Sequence, residues 1–80
     1  MQARIFVTPR KGILDPQGRA IEGALRSLGI KGVGGVHVGR YIIVELDAPT
    51  RSEAEQLVRQ MCAELLANPN IEDYRFEVDA

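Results

Sequence analysis

Residues 8–29, TPRKGILDPQGRAIEGALRSLG, decide the fold because they contain a strand end, a basic loop and a well-marked helix. Asp15 is a good N-cap, since its carboxylate can accept a backbone N–H of the first turn, and Pro16 suits the first helical position. Gly29 suits the left-handed backbone conformation that often ends a helix. Apolar residues recur between them at helical spacing and form one face. They are Ala20, Ile21, Ala24, Leu25 and Leu28.

Two glycines lie inside this predicted helix, where each costs about 0.5–1 kcal/mol relative to Ala. Close packing of the helix on a sheet explains Gly23, and close approach by another chain explains it as well. In front of the helix, the basic loop Arg10–Gly12 faces a helix N-terminus, a combination that can bind an anion. A solvated loop is the simpler interpretation of the same residues.

The composition indicates one small globular domain, residues 1–80. Such a short chain buries only about 60% of its unfolded surface, so oligomerisation would help it. Ten basic and eleven acidic side chains give a net charge of −1, which disfavours nucleic acid as a partner. A single cysteine excludes an internal disulfide. We expect no membrane span, no signal peptide and a cytoplasmic location.

Three further segments have strand character. In residues 2–8, Ala3, Ile5 and Val7 share one face and Phe6 takes the other. Residues 36–46 predict a hairpin with its turn at Gly39–Arg40. A two-residue turn would pair Val38 with Tyr41, whereas a three-residue turn or an equivalent bulge, which we prefer, pairs Val38 with Ile42 and collects the aliphatic residues on one face. In residues 71–78, the apolar face is Tyr74, Phe76 and Val78, and the polar face is Asp73, Arg75 and Glu77.

The second predicted helix begins at a capping box, a pattern formed both by Thr50 with Glu53 and by Ser52 with Glu55. We expect Cys62 to be a small buried residue at the border of its apolar stripe. The stripe itself is Ala54, Leu57, Val58, Met61, Leu65 and Leu66.

The order βαββαβ predicts a ferredoxin-like α+β fold, a two-layer α/β sandwich with a four-stranded antiparallel sheet and two helices on one face. The uncovered face would then carry too much apolar surface for water alone. We therefore expect an interface with a second copy there. The residues assigned to this oligomer interface are Phe6, His37, Tyr41 and Ile43.

The residues indicate no catalytic, cofactor-binding or metal-binding group. Cys62 has no basic partner in the sequence pattern, and His37 lies on a predicted strand without a nearby acid. The aromatic content of 5%, with no Trp, offers no base-stacking platform. From the residues alone, the chain is an oligomeric interaction module.

Three segments resemble the PurS family, the small subunit of bacterial and archaeal phosphoribosylformylglycinamidine synthase. They are Leu14-Asp15-Pro16-Gln17-Gly18 with Ala24-Leu25 and Leu28-Gly29; Val36–Ile42; and Met61–Pro69 with Ile71–Glu77. The match spans nearly the whole chain in order. Gly34-Gly35 departs from the family pattern, where polar or charged residues are frequent.

The resemblance implies a role in purine (IMP) biosynthesis without catalytic residues in this chain. In the family, a glutaminase subunit (PurQ) releases ammonia, and a synthetase subunit (PurL) uses it with ATP and Mg to convert FGAR to FGAM. PurS, as a homodimer or homotetramer, helps to join the two for ammonia transfer. We expect partner contacts from two regions of the chain. They are Arg10, Lys11, Asp15 and Gln17 near the first helix, and Asn68, Asp73 and Arg75 near the last strand.

Two other functions fit the same architecture. One is a regulatory module that binds an amino acid or another small molecule at a subunit interface. The other is a small standalone enzyme. Ligand binding by the isolated chain would favour the first, and turnover without partner subunits would favour the second.

Overall fold

The computed structural model describes residues 1–79; Ala80, the last residue of the predicted domain, lies outside them. The chain folds in the order β1 (Gln2–Pro9), α1 (Pro16–Ser27), β2 (Arg40–Glu45), α2 (Arg51–Met61), a π-helical turn that continues α2 (Cys62–Leu66) and β3 (Glu72–Asp79). The three strands form an antiparallel sheet in the order β2–β1–β3. No helix in this part of the chain is long and apolar enough to cross a membrane.

The central strand β1 divides its side chains between the two faces as the alternation predicts. Ile5 lies opposite Ile42 on β2 and Phe76 on β3, and all three share the face that the core covers. Phe6 lies on the opposite face, which we call the open face. The predicted face assignments of β1 and β3 are therefore confirmed.

The core lies between the sheet and α2 with its π-helical turn. Cys62 is fully buried, as predicted for a small apolar residue. Leu57 and Leu65, predicted in the buried stripe, are instead 41% and 82% exposed. The wider π-helical turn rotates the residues after Met61, so that Ala67 rather than Leu65 reaches the core. The buried set is Ala3, Ile5, Val7, Ala54, Val58, Cys62, Ala67 and Val78.

The predicted hairpin over residues 36–46 is present only in its second arm, which is β2. Residues 36–38 are not a strand, and the described residues contain three strands. The Val38 N–H donates to the Asp15 carboxylate at 2.8 Å, so it takes no part in a strand ladder. Gly39 passes directly against the Val7 carbonyl oxygen, a position that leaves no room for a Cβ atom. The preferred pairing of Val38 with Ile42 does not form.

Helix α1 begins and ends where the sequence predicts, but it does not cover the sheet. Asp15 caps it, Pro16 opens it and Gly29 follows it with φ +80°. Gly18 is its one buried residue, whereas Ile21 and Leu28 are 43% and 75% exposed. The chain measures 51 × 25 × 15 Å, with a radius of gyration of 16.0 Å against about 12 Å for a compact chain of this length. Amphipathic spacing predicts that a helix face must be covered, but not by which surface.

Candidate subunit interfaces

The open face carries an aromatic cluster at its centre. The rings of Phe6 and Tyr41 lie 5.0 Å apart with an interplanar angle of 30°. The guanidinium of Arg75 lies over the Phe6 ring, 4.0 Å from its centroid, a cation–π arrangement. Ile43 is on the same face and 53% exposed. The structure thus brings together Phe6, Tyr41 and Ile43 of the predicted oligomer interface, and adds Arg75 from the predicted partner contacts.

Charged side chains surround this cluster on β1 and β3. Arg4 contacts Glu77 and Asp79, each at 2.9 Å, and Arg75 approaches Glu77 at 3.4 Å. Because these pairs are largely exposed, each contributes little to stability. An exposed aromatic centre with a charged rim is the composition typical of a protein–protein interface.

The start of α1 forms a second polar centre around Asp15. Its Oδ1 accepts from the Gly18 N–H at 3.0 Å, and its Oδ2 accepts from the Val38 N–H at 2.8 Å. These two hydrogen bonds lower the pKa of the Asp15 carboxyl below its usual value. His37 is exposed, and its Nδ1 lies 4.0 Å from Asp15 Oδ2. The structure therefore places His37, which was predicted in the oligomer interface, beside Asp15 at the start of α1.

The basic loop is a hydrogen-bonded turn. The Ile13 N–H donates to the Arg10 carbonyl at 3.1 Å, and Gly12 has φ +87°, as a turn with glycine in its third position requires. Arg10 forms an ion pair with Asp73 at 3.3 Å, and its backbone N–H donates to Ile71. The structure thus joins two predicted contact residues, Arg10 and Asp73. Lys11 and Gln17 are exposed nearby in the sequence.

A third cluster, around Arg40 and Glu72, was missed at the sequence level. Arg40 Nη2 donates to the Leu66 carbonyl at 2.7 Å and to Glu72 Oε1 at 3.0 Å. The same carboxylate oxygen accepts from the Asn68 N–H at 2.8 Å, and this hydrogen bond, together with the one from Arg40, lowers the pKa of the Glu72 carboxyl. The cluster ties the π-helical turn and the Asn68 loop to the sheet. Arg40 lies 32 residues from Glu72 in the sequence, and no local pattern marks the pair.

The described residues bring together no arrangement that would support covalent or acid–base catalysis. The 4.0 Å between His37 Nδ1 and Asp15 Oδ2 is too long for a hydrogen bond, so Asp15 does not orient His37 as a base. Burial raises the pKa of the Cys62 thiol, which disfavours the reactive thiolate. Among residues 1–79, no three His, Cys, Asp or Glu side chains are grouped so that they could hold a metal ion.

An open sheet face with an aromatic centre and a helix with an uncovered apolar face are surfaces that a subunit presents to its neighbours. Fold and surfaces together thus define a small α+β protein of the subunit class. The family model for PurS, described as phosphoribosylformylglycinamidine (FGAM) synthase, matches residues 2–80. The chain belongs to the PurS family.

Individual relatives agree with the family match over almost the full length. The PurS subunit of FGAM synthase from Synechocystis sp. is 47% identical over 77 residues, which are 96% of this chain and 77% of that protein. The Bacillus subtilis subunit is 38% identical over 98% of this chain and 92% of that protein.

Solved structures extend the similarity to the fold. B. subtilis PurS has a TM-score of 0.88 at 38% identity, over 99% of this chain and 98% of that one. A chain of the Thermotoga maritima PurLQS structure has a TM-score of 0.86 at 33% identity, over 95% of this chain and 93% of that one. The small α+β fold with two helices and an antiparallel sheet is therefore the fold of PurS structures.

Proposed function

We propose that this chain, as one PurS domain over residues 1–80, is a non-catalytic subunit of the FGAM synthase complex in purine biosynthesis. It helps to join the glutaminase subunit, PurQ, to the synthetase subunit, PurL, so that ammonia passes between them. The observation that carries this proposal is the full-length similarity to a chain of the T. maritima PurLQS structure. ATP and Mg would be used by the synthetase subunit in the conversion of FGAR to FGAM, in the cytoplasm.

The same proposal includes a homodimer or homotetramer. Helix α1 supports it, because its apolar residues are exposed in the single chain and the chain is far from compact. Covering that face, together with Phe6, Tyr41 and Ile43 on the open face, would remove a large apolar area from water. The free edge of β2 is where a fourth strand from a second copy would pair, and His37 lies in the segment that precedes β2.

Sedimentation equilibrium tests the oligomer. We expect a dimer or tetramer at micromolar concentration, and we expect Leu28→Asp to shift the population toward the monomer, since it places a charge on the uncovered face of α1. Ser27→Asp is the matched control, because it adds the same charge to the neighbouring residue outside the apolar stripe. A wild-type monomer at that concentration would contradict the oligomer.

Contacts with the partner subunits are proposed for three regions: the basic turn and the first turn of α1, the loop before β3, and β3 itself. Arg10, Lys11 and Gln17 are exposed, and Asp73 and Arg75 lie at the adjoining end of β3. Asn68 shows its side chain at the surface of the loop that Glu72 anchors. Asp15, predicted in the same set, keeps its carboxylate within the chain.

Charge reversal at Arg10 and Lys11 tests this contact region. In the complex reconstituted from this chain, glutaminase and synthetase, the double variant R10E/K11E should weaken assembly about tenfold or more, because like charges across an interface are costly. Glutamine-dependent turnover should fall, while turnover with added ammonia should persist. The control R51E/R59E makes the same charge change on α2. There Arg51 donates to the Val78 carbonyl and Arg59 lies over the Phe76 ring. Equal glutamine-dependent rates for both variants would refute the contact.

A further inference from the structure

The carboxylate of Asp15 joins two segments that are far apart in the sequence. One oxygen caps α1 through the Gly18 N–H, and the other holds the Val38 N–H, 23 residues away. The side chain is only 12% exposed. A helix cap needs one acceptor oxygen, so the second hydrogen bond does something that capping does not require.

Two glycines allow the backbone to pack closely around this junction. A Cβ atom on Gly18 would collide with the Val36 carbonyl oxygen, and a Cβ atom on Gly39 would collide with the Val7 carbonyl oxygen. Residues 36–39 are therefore held between the start of α1 and the end of β1. Asp15 binds this segment to the start of α1 through the Val38 N–H.

Little else fixes the direction of α1. Gly18 is its one buried residue, and its apolar side chains are largely exposed. Its 12 residues extend about 18 Å from the junction, so a tilt of about 20° at the base moves the far end by about 6 Å. Small changes at Asp15 thus become large displacements of the helix face that another polypeptide would contact.

We infer that Asp15 is a positioning residue that sets the direction of α1 relative to the sheet and thereby the geometry in which the subunits assemble. The part of this inference that concerns subunit assembly rests on the proposed function. It assigns Asp15 a role inside its own chain, in contrast to the direct partner contact expected from the sequence. His37 lies beside this junction, with its Nδ1 4.0 Å from Asp15 Oδ2.

The decisive variant is Asp15→Ser, because serine is a good N-cap but is too short to hold the Gly18 and Val38 N–H groups together. Spin labels at S27C and E45C, in a C62A background, report the distance from the end of α1 to β2. Dilution with unlabelled chain removes distances between copies. We expect a single narrow distance distribution for the parent and a broad one for D15S, with unchanged helix content by circular dichroism. Thr50→Ala, which removes the cap of α2, should leave the distribution narrow.

The reconstituted complex supplies the second measurement. D15S should lower the ratio of glutamine-dependent to ammonia-dependent turnover about tenfold, whereas T50A should leave that ratio unchanged. A narrow distribution for D15S would overturn the positioning role, and a broad distribution with an unchanged ratio would overturn its effect on subunit assembly. If the wild-type chain supports no glutamine-dependent turnover, the proposed function fails, and the distance measurement still decides whether Asp15 fixes α1.

Discussion

Replacing Gly18 by Ala should destabilise the chain even though Ala is the better helix former. The added Cβ would collide with the Val36 carbonyl oxygen and lie 2.6 Å from Asp15 Oδ2. Because one of these neighbours is backbone, the start of α1 must move away from residues 36–38. We expect a loss of about 1–3 kcal/mol in the free energy of unfolding, as for other overpacked sites. Urea unfolding measures this loss, and amide exchange should show a less protected Val38 N–H.

Gly23→Ala is the matched control within the same helix. A Cβ on Gly23 meets no atom within 4 Å beyond its own stretch of helix backbone, so this variant should gain about 0.5–1 kcal/mol from helix propensity. The two substitutions are chemically identical, and only the surroundings differ. If G18A proved as stable as G23A, α1 would not be packed against residue 36 in solution.

Ile5→Ala should cost about 2–5 kcal/mol, because it removes a fully buried side chain from the middle of the central strand. A domain of this size has a total stability of only about 4–12 kcal/mol, so this loss is a large fraction of it. Urea or thermal unfolding, followed at several protein concentrations, measures the effect.

Ile43→Ala makes the same change on the neighbouring strand and the opposite face, where the side chain is 53% exposed. Its effect on unfolding of the isolated chain should stay within about 0.5 kcal/mol. Its effect on self-association should be larger, because Ile43 belongs to the proposed oligomer interface. A loss of stability equal to that of I5A would place the core on the wrong face of the sheet.

Local signals in the sequence predicted the helix starts and the strand faces correctly. Asp15 and Thr50 each bond to a backbone N–H three residues ahead, so their capping role can be read from a few neighbouring residues. The alternation in β1 fixes its faces for the same reason. The burial of Cys62 likewise follows from its spacing after Val58.

The errors have non-local causes. Val36 and Val38 alternate like a strand, but the Val38 N–H is bound by a carboxylate 23 residues away. The spacing of α1 predicts an apolar face without saying whether the same chain covers it. The Arg40–Glu72 pair spans 32 residues, and neither residue stands out in its own segment. Such contacts become visible only when the chain is folded.

The burial of Cys62 also makes its alkylation a measure of unfolding. The thiol is fully buried in the core and burial raises its pKa, so in the folded molecule an alkylating reagent has no access to Cys62 and the reactive thiolate is disfavoured. Modification then requires that α2 separate from the sheet, and its extent records how many molecules have done so. Because the chain has one cysteine, mass spectrometry would show the modified fraction as a single mass increment, without any added probe.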